Sequence, residues 1–141
     1  LLISEANAER IKIEAGSASR QLNGLASEIH IRGRDLRNGK PKSTVLTPQH
    51  IAEALDEPIE AMAEFIERTL EDLPPEVSND ICDRGICLTG GGALLHKLDQ
   101  ELAKRVGVPF HVSDNPLHCV VRGSAMLLEK ISGREHLLIR P

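Results

Sequence analysis

Three consecutive glycines, Gly90 to Gly92, separate a short apolar run from an amphipathic one in the segment GICLTGGGALLHKLDQELAKRVGVPFHV. A glycine backbone has no Cβ atoms, so it can approach a phosphate or the face of a nucleotide closely. If a helix follows, its unpaired N–H groups and its dipole favour an anion. The segment therefore indicates a nucleotide-contacting turn, with a tight strand-to-helix turn that needs glycine only for packing as the alternative. It matches neither the phosphate-loop pattern nor GxGxxG.

A second candidate pair, Glu9 and Lys12, lies far away in the segment AERIKIEAG. The two side chains are one helical turn apart, so they share a face of a helix. A carboxylate and an ammonium placed in this way can bind a ribose hydroxyl and the edge of an adenine ring. The alternative is an ordinary surface ion pair, which is worth about 0.2 to 0.5 kcal/mol.

Composition and spacing exclude several classes of function. The 141 residues carry a net charge of −4 and include two phenylalanines but no Trp or Tyr, so we expect no nucleic-acid partner. The six histidines have no second ligand at metal spacing, and no Ser/His/Asp or Cys/His set is present, so we predict neither metal ligands nor catalytic residues. We expect the three cysteines to be reduced and mostly buried in a cytosolic protein.

Hydrophobic spacing predicts the elements that carry Glu9 and Lys12. Asn7 can cap a helix that ends at Gly16. The alternation around Ile29 and Ile31 predicts a strand, and a second strand near residues 43–46 follows a turn at Asn38. The first third of the chain is therefore a helix with a hairpin-like pair of strands.

The rest of the chain reads as alternating helices and strands. Thr47 and Pro48 begin an amphipathic helix, and Pro58 predicts a break or kink near Glu57 because proline removes a backbone hydrogen bond. The order strand, glycine turn, helix, strand over residues 85–112 predicts a βαβ unit with parallel strands. Pro116 opens a final helix, and the fold class is α/β.

Taken together, three segments resemble a known family. NAERIKIEAGSA, EIHIRGRDL and ICLTGGGALLHKLDQELAKRVGVPFHVSDNPLHCVVRGSA occur in that order and are similar to the carboxyl-terminal part of the MreB family, the bacterial actin homologues that determine rod shape. The resemblance extends from Ser4 to about Lys130. It implies the second domain of an actin-like, ribonuclease-H-like ATPase, with a larger α/β subdomain and a small α+β subdomain.

The resemblance also implies a division of the chain. Residues 1–56 correspond to the small outer subdomain, residues 57–115 to the inner α/β subdomain with the GGG turn, and residues 116–141 to a helix that crosses towards the first domain. In the family that first domain covers the final helix. We therefore expect exposed apolar surface and self-association around Leu117, Val121, Met126 and Leu127.

The resemblance places the two candidate segments at one ligand, ATP. The residues that it assigns to the nucleotide are Glu9, Arg10, Ile11 and Lys12 on the adenosine side, and Gly90, Gly91, Gly92 and Ala93 beside the phosphate and ribose. Intact members of the family hydrolyse ATP with Mg²⁺. Their two phosphate hairpins and the expected Mg²⁺ ligands are not among these residues, so we expect no ATPase activity from this chain alone.

The function that the resemblance implies is that of an ATP-binding cytoskeletal protein. Intact members polymerise into filaments at the inner face of the membrane, where they control cell shape with the cell-wall elongation machinery. Two alternatives remain at this point. The chain could be a truncated remnant or interaction module that binds no nucleotide, or, with less support, a kinase of the same superfamily, for which no substrate-binding insertion or catalytic Asp is visible.

Overall fold

A computed structural model of the chain describes residues 1–20 and 28–129. Helices and strands alternate along these residues, and two short 3-10 turns separate some of them. The helices are α1 (Glu5–Ala15), α2 (Pro48–Glu71), α3 (Pro75–Arg84), α4 (Leu98–Val106) and α5 (Cys119–Glu129). The strands are β1 (Ile29–Arg34), β2 (Pro41–Leu46), β3 (Ile86–Leu88) and β4 (Phe110–Val112), and the 3-10 turns are Gly91–Leu94 and Pro116–His118.

The predicted helix and hairpin of the first third are present. Helix α1 begins earlier than expected, because Ser4 and not Asn7 is its N-cap, and the Ser4 hydroxyl accepts the Asn7 N–H at 3.4 Å. Strands β1 and β2 pair in antiparallel register, with Ile31 opposite Thr44. Ile11 and Ala15 of α1 pack with Ile31 of β1 and with α2, and this contact forms the first hydrophobic core.

Helix α2 runs without interruption through Pro58, so the break that was one alternative near Glu57 is wrong, whereas the other alternative, a kink, stays a prediction. The apolar stripe of α2 keeps its phase across the proline: Ile51 is buried in the first core and Ile59 in the second. Burial on both sides of the proline outweighs the lost backbone hydrogen bond. Because α2 crosses the proposed boundary at residues 56 and 57 as one helix, the division into subdomains stays a prediction.

The second hydrophobic core lies under the βαβ unit, which is present as predicted. Strands β3 and β4 are parallel, with Cys87 opposite His111, and α4 is the crossover between them. Leu98 and Leu102 of α4 pack against Ile59 of α2, and Ala18, which follows α1, completes the cluster.

The glycine segment does not lead directly into an α-helix, contrary to the sequence-based expectation. Gly91–Leu94 form a 3-10 turn, and α4 begins only at Leu98. Between them Lys97 has a φ of 59°, a left-handed conformation that interrupts a helix of L-residues. The helix dipole of α4 therefore begins several residues beyond the glycines.

The cysteines and the side chains of the last helix are more exposed than those of a hydrophobic core. Cys82 and Cys87 are exposed and Cys119 is half-buried, so the expectation of mostly buried thiols is wrong. No residue of α5 is buried. Leu117, Val121 and Met126 are exposed as expected, whereas Leu127 is half-buried. Residues 130–141, the end of the predicted crossover helix, lie outside the described residues.

Among the described residues, no helix combines the length and the apolar character that a membrane crossing requires.

We predict that Leu102→Ala destabilises the chain by about 2 to 5 kcal/mol, because it empties a well-packed site in the second core. Leu102 is only 2% exposed. Urea unfolding followed by circular dichroism measures the change. Leu36→Ala, at a residue 69% exposed, is the matched control and should stay within about 0.5 kcal/mol of the wild type. Equal effects of the two variants would contradict the assignment of this core.

We also predict that the chain associates with itself as its concentration rises, because the apolar side chains of α5 are uncovered. The double variant Leu117→Ser, Val121→Ser should shift the population towards monomer, whereas Leu36→Ser should not. Sedimentation velocity over a concentration series provides the measurement. A wild-type chain that stays monomeric at the highest concentration would rule this prediction out.

Candidate functional site

The first half of the candidate site is one face of α1. The Glu9 carboxylate and the Lys12 ammonium form an ion pair of 2.7 Å between Oε2 and Nζ. Both side chains are exposed, at 58% and 44%. Neither is needed to neutralise a buried charge, so both can reach a ligand at little cost to the fold.

The other two predicted residues of α1 occupy different surroundings. The Arg10 guanidinium donates to both carboxylate oxygens of Glu14, at 3.0 and 2.8 Å, and borders a groove with Asn7 and Arg32. Ile11 is 4% exposed and belongs to the first core. Helical geometry puts Arg10 on the side of α1 opposite to Glu9 and Lys12. The side chains brought together on one face are therefore those of Glu9 and Lys12 alone among the four.

The second half of the candidate site is the glycine turn, in which the three glycines have different reasons to be glycine. Gly90 has a φ of 81°, a conformation that strains other residues, and its N–H donates to the Pro116 carbonyl at 2.8 Å. Gly91 and Gly92 have no positive φ. A Cβ at Gly91 would meet only Leu117 Cδ2, at 3.6 Å, and a Cβ at Gly92 would meet nothing within 4 Å.

Packing within the described chain therefore does not account for Gly91 and Gly92. A larger side chain at either position would fill the open space in front of the turn. A ligand that approaches the backbone closely requires that space. Ala93, the fourth predicted residue, is buried at 6% exposure and holds the turn against the protein.

The two halves of the site are joined by the segment that leaves α1. Ala18 donates its N–H to the His96 carbonyl at 2.9 Å, and Ser17 pairs with His96 as a parallel bridge. Gly16 has a close-approach role: a Cβ there would overlap the Lys12 carbonyl and would lie 3.0 Å from Leu95 Cδ1. The last turn of α1, which carries Lys12, thus abuts the residues that follow the glycine turn.

An apolar cavity borders the glycine turn beneath α2. It has a volume of about 430 Å³, and Met62, Phe65 and Leu88 line it together with Gly92 and Ala93. Its walls are almost entirely apolar, so it cannot stabilise a phosphate. A charged ligand must therefore lie on another side of the turn.

The family model described as MreB/Mbl protein matches residues 1–136. The chain belongs to the MreB/Mbl family. The cell shape-determining protein MreB of Escherichia coli strain K12 is 46% identical over 130 residues, and the cell shape-determining protein Mbl of Bacillus cereus is 43% identical over 131 residues. These matches cover 92% and 93% of this chain but only 37% and 39% of the two relatives.

Two solved structures of the MreB/Mbl family share the fold. The crystal structures of MreB5 of Spiroplasma citri bound to ADP and of MreB 5 bound to AMPPNP each superpose with a TM-score of 0.87, at 27% and 28% identity. The superpositions cover 96% and 98% of this chain and 41% of each of those chains. The prediction of an actin-like α/β fold is confirmed. The sequence-based identification of the MreB family is confirmed as well.

Beyond the predicted residues, this member of the MreB/Mbl family carries an ion network that the sequence analysis missed. Arg105 of α4 donates to Asp56 Oδ1 at 2.6 Å and also pairs with Glu60 and Glu101. Arg20 donates to the other carboxylate oxygen of Asp56 at 2.9 Å. Arg20 and Arg105 lie 36 and 49 residues from Asp56 in the sequence, so no local pattern could have revealed these two pairs.

The network lowers the pKa of Asp56 and raises the pKa of Arg105, so it favours the charged form of both. The hydrogen bond from Arg105, followed by that from Arg20, holds the pKa of the Asp56 carboxyl below its usual value. Partial burial works to lower the pKa of Arg105, but its hydrogen bonds to Asp56 and Glu101 outweigh burial and raise it. In the part of the chain that the structure describes, no group of His, Cys, Asp or Glu side chains could hold a metal ion.

We predict that Asp56→Asn lowers the free energy of unfolding at neutral pH and that its gap to the wild type closes in acid. The folded pKa of Asp56 lies below the unfolded value of about 3.9, so its ion pairs stabilise the fold above that value. Their contribution is lost as the pH falls through the folded pKa. Urea unfolding at a series of pH values, from neutral down to about pH 3, measures the gap.

Glu57→Gln is the control, because it removes one carboxylate from the same helix at an exposed residue without an ion pair among those described here. Its difference from the wild type should be small over the whole series. A gap for Asp56→Asn that widens towards acid would contradict the assignment.

Proposed function

We propose that this chain is the part of an actin-like cytoskeletal protein that binds an adenine nucleotide, ATP or ADP, between the Glu9–Lys12 face of α1 and the turn at Gly90, Gly91 and Gly92. The single observation that carries the proposal is the open space at Gly91 and Gly92, where neither backbone strain nor packing requires glycine. A ligand that passes close to the backbone accounts for both positions.

Different residues of the chain would make different contacts with the nucleotide. Lys12 supplies a positive charge and Glu9 an acceptor for hydroxyl groups, and both stand on a rigid helix. The glycine turn offers backbone N–H groups and close approach, and buried Ala93 anchors it. The phosphoanhydride bond that intact members of the family hydrolyse would belong to the nucleotide. The Mg²⁺ that accompanies it in the intact family would be held by residues outside this chain.

Assembly is the second part of the proposal. The relatives are named as cell shape-determining proteins of bacteria, and the family is one of actin-like cytoskeletal proteins. We infer that the whole protein self-associates into filaments in the cytoplasm, at the inner face of the membrane, and organises cell-wall synthesis together with the elongation machinery. Filaments require a repeating contact between unlike surfaces of successive copies, and an α/β body of this kind can provide one at each end.

We predict that the chain binds ADP in isothermal titration calorimetry and that Glu9→Ala and Gly91→Val each weaken binding at least about tenfold. The first change removes an acceptor of roughly 1.5 kcal/mol or more, and the second fills the approach to the turn. A Cβ at position 91 would meet only Leu117 Cδ2, at 3.6 Å, so we expect the fold to tolerate the change.

Two matched controls separate binding from folding. Glu14→Ala removes a carboxylate from the opposite face of α1, and Gly123→Val adds the same side chain at a helical glycine with open surroundings. Both should bind ADP like the wild type. If the wild-type chain shows no heat at millimolar ADP, the proposal fails for this chain, and the reading as an interaction module without nucleotide takes its place.

A further inference from the structure

The middle of α2 is the place where the two hydrophobic cores meet. Leu55 packs against both cores, with Ile51 on one side of it and Ile59 on the other. Pro58 has no N–H, so the Ala54 carbonyl lacks its usual helical partner at the same place. The helix is therefore weakest in backbone hydrogen bonding at the point where it must hold the two cores in a fixed relation.

Asp56 lies at this weak point and is tied to both sides. Arg105 approaches from α4 and donates to Asp56 Oδ1 at 2.6 Å and to the Asp56 carbonyl at 3.4 Å. Arg20, from the segment that follows α1, donates to Asp56 Oδ2 at 2.9 Å. We call Arg20, Asp56 and Arg105 the clasp.

The two arginines of the clasp, which we call its arms, lie on segments that connect to the two halves of the candidate site. Arg20 stands two residues after Ala18, whose N–H is bonded to His96. Arg105 belongs to the helix that follows the glycine turn. The clasp thus bridges the segment that follows the Glu9–Lys12 face and α4, the helix that begins after the 3-10 turn of the glycine segment.

We propose that Asp56 is a positioning residue, which through the clasp holds the Glu9–Lys12 face and the glycine turn at the separation that a nucleotide needs. The inference rests on the proposed function as far as the ligand is concerned. Binding and clasp closure are then coupled, and the coupling is reciprocal: the clasp favours the nucleotide, and the nucleotide favours the closed clasp. Asp56 itself touches no ligand.

A merely stabilising role predicts something different. The Arg20–Asp56 pair joins side chains that are 65% and 39% exposed, so it contributes little to global stability, whereas Arg105 is only 16% exposed and losing its partner costs the fold more. A stabilising pair would change the unfolding free energy alone. A positioning pair changes a local opening between the two segments and changes ligand affinity with it.

The amide of Ala18 reports this opening, because its hydrogen bond to His96 joins the two segments. We expect Asp56→Asn to speed hydrogen exchange at Ala18 and to weaken ADP binding roughly three- to tenfold. Asp56→Glu keeps the charge and should recover part of both effects, whereas Glu57→Gln should produce neither. In the wild type, ADP should slow exchange at Ala18, and in Asp56→Asn it should slow it less.

The outcomes separate the two proposals. If Asp56→Asn matches Glu57→Gln in both Ala18 exchange and ADP affinity, the clasp has no positioning role. If the wild type binds no ADP, the proposed function fails, and the test of the clasp is then the hydrogen-exchange rate at Ala18 alone. A rate in Asp56→Asn equal to that of the wild type overturns the positioning role. Should Asp56→Asn not fold, Arg20→Gln removes one arm at an exposed residue, and an unchanged Ala18 rate in that variant overturns the proposal equally.

Discussion

A single helix, α2, has to satisfy two hydrophobic cores at once, and the described structure depends on this constraint. Ile51 is buried against α1 and β1, and Ile59 is buried against α4. Each buried isoleucine contributes about 1.5 to 3 kcal/mol, which together exceeds the cost of about 3 kcal/mol for a proline in a helix interior. The helix therefore continues through Pro58, and its two halves connect the two cores.

The glycines show how a structure can separate packing from ligand binding. Gly16 is required because a Cβ would overlap the Lys12 carbonyl, and Gly90 is required by its positive φ. Gly91 and Gly92 fall into neither class. Since glycine loses more conformational entropy on folding than other residues, its use without a local reason is a cost that some other contact must offset. On the proposed function, that contact is a nucleotide beside the turn.

The sequence predicted the parts of the fold that depend on local spacing. The hairpin, the parallel βαβ unit and the long apolar stripe of α2 all follow from periods of two or of three to four residues. What failed is not set by hydrophobic spacing: the continuity at Pro58, the late start of α4 after Lys97, and the exposure of the cysteines. For the candidate site, the two segments were visible in the sequence, but the bond from Ala18 to His96 that joins them was not, because it is a tertiary contact.

The ion pairs of the chain fall into an exposed pair, Glu9–Lys12, and a network around the mostly buried Arg105 side chain. The Glu9–Lys12 pair is exposed on both sides, so its rupture costs the fold no more than about 1 kcal/mol, and a ligand can take over either partner. The Arg105 side chain is only 16% exposed and is surrounded by three acidic side chains. Its desolvation has already been offset, and removing one partner leaves a half-buried charge without full compensation. On the proposed function, the exposed Glu9–Lys12 pair would exchange partners with the ligand, whereas the Arg105 network would keep its geometry and hold the site in place.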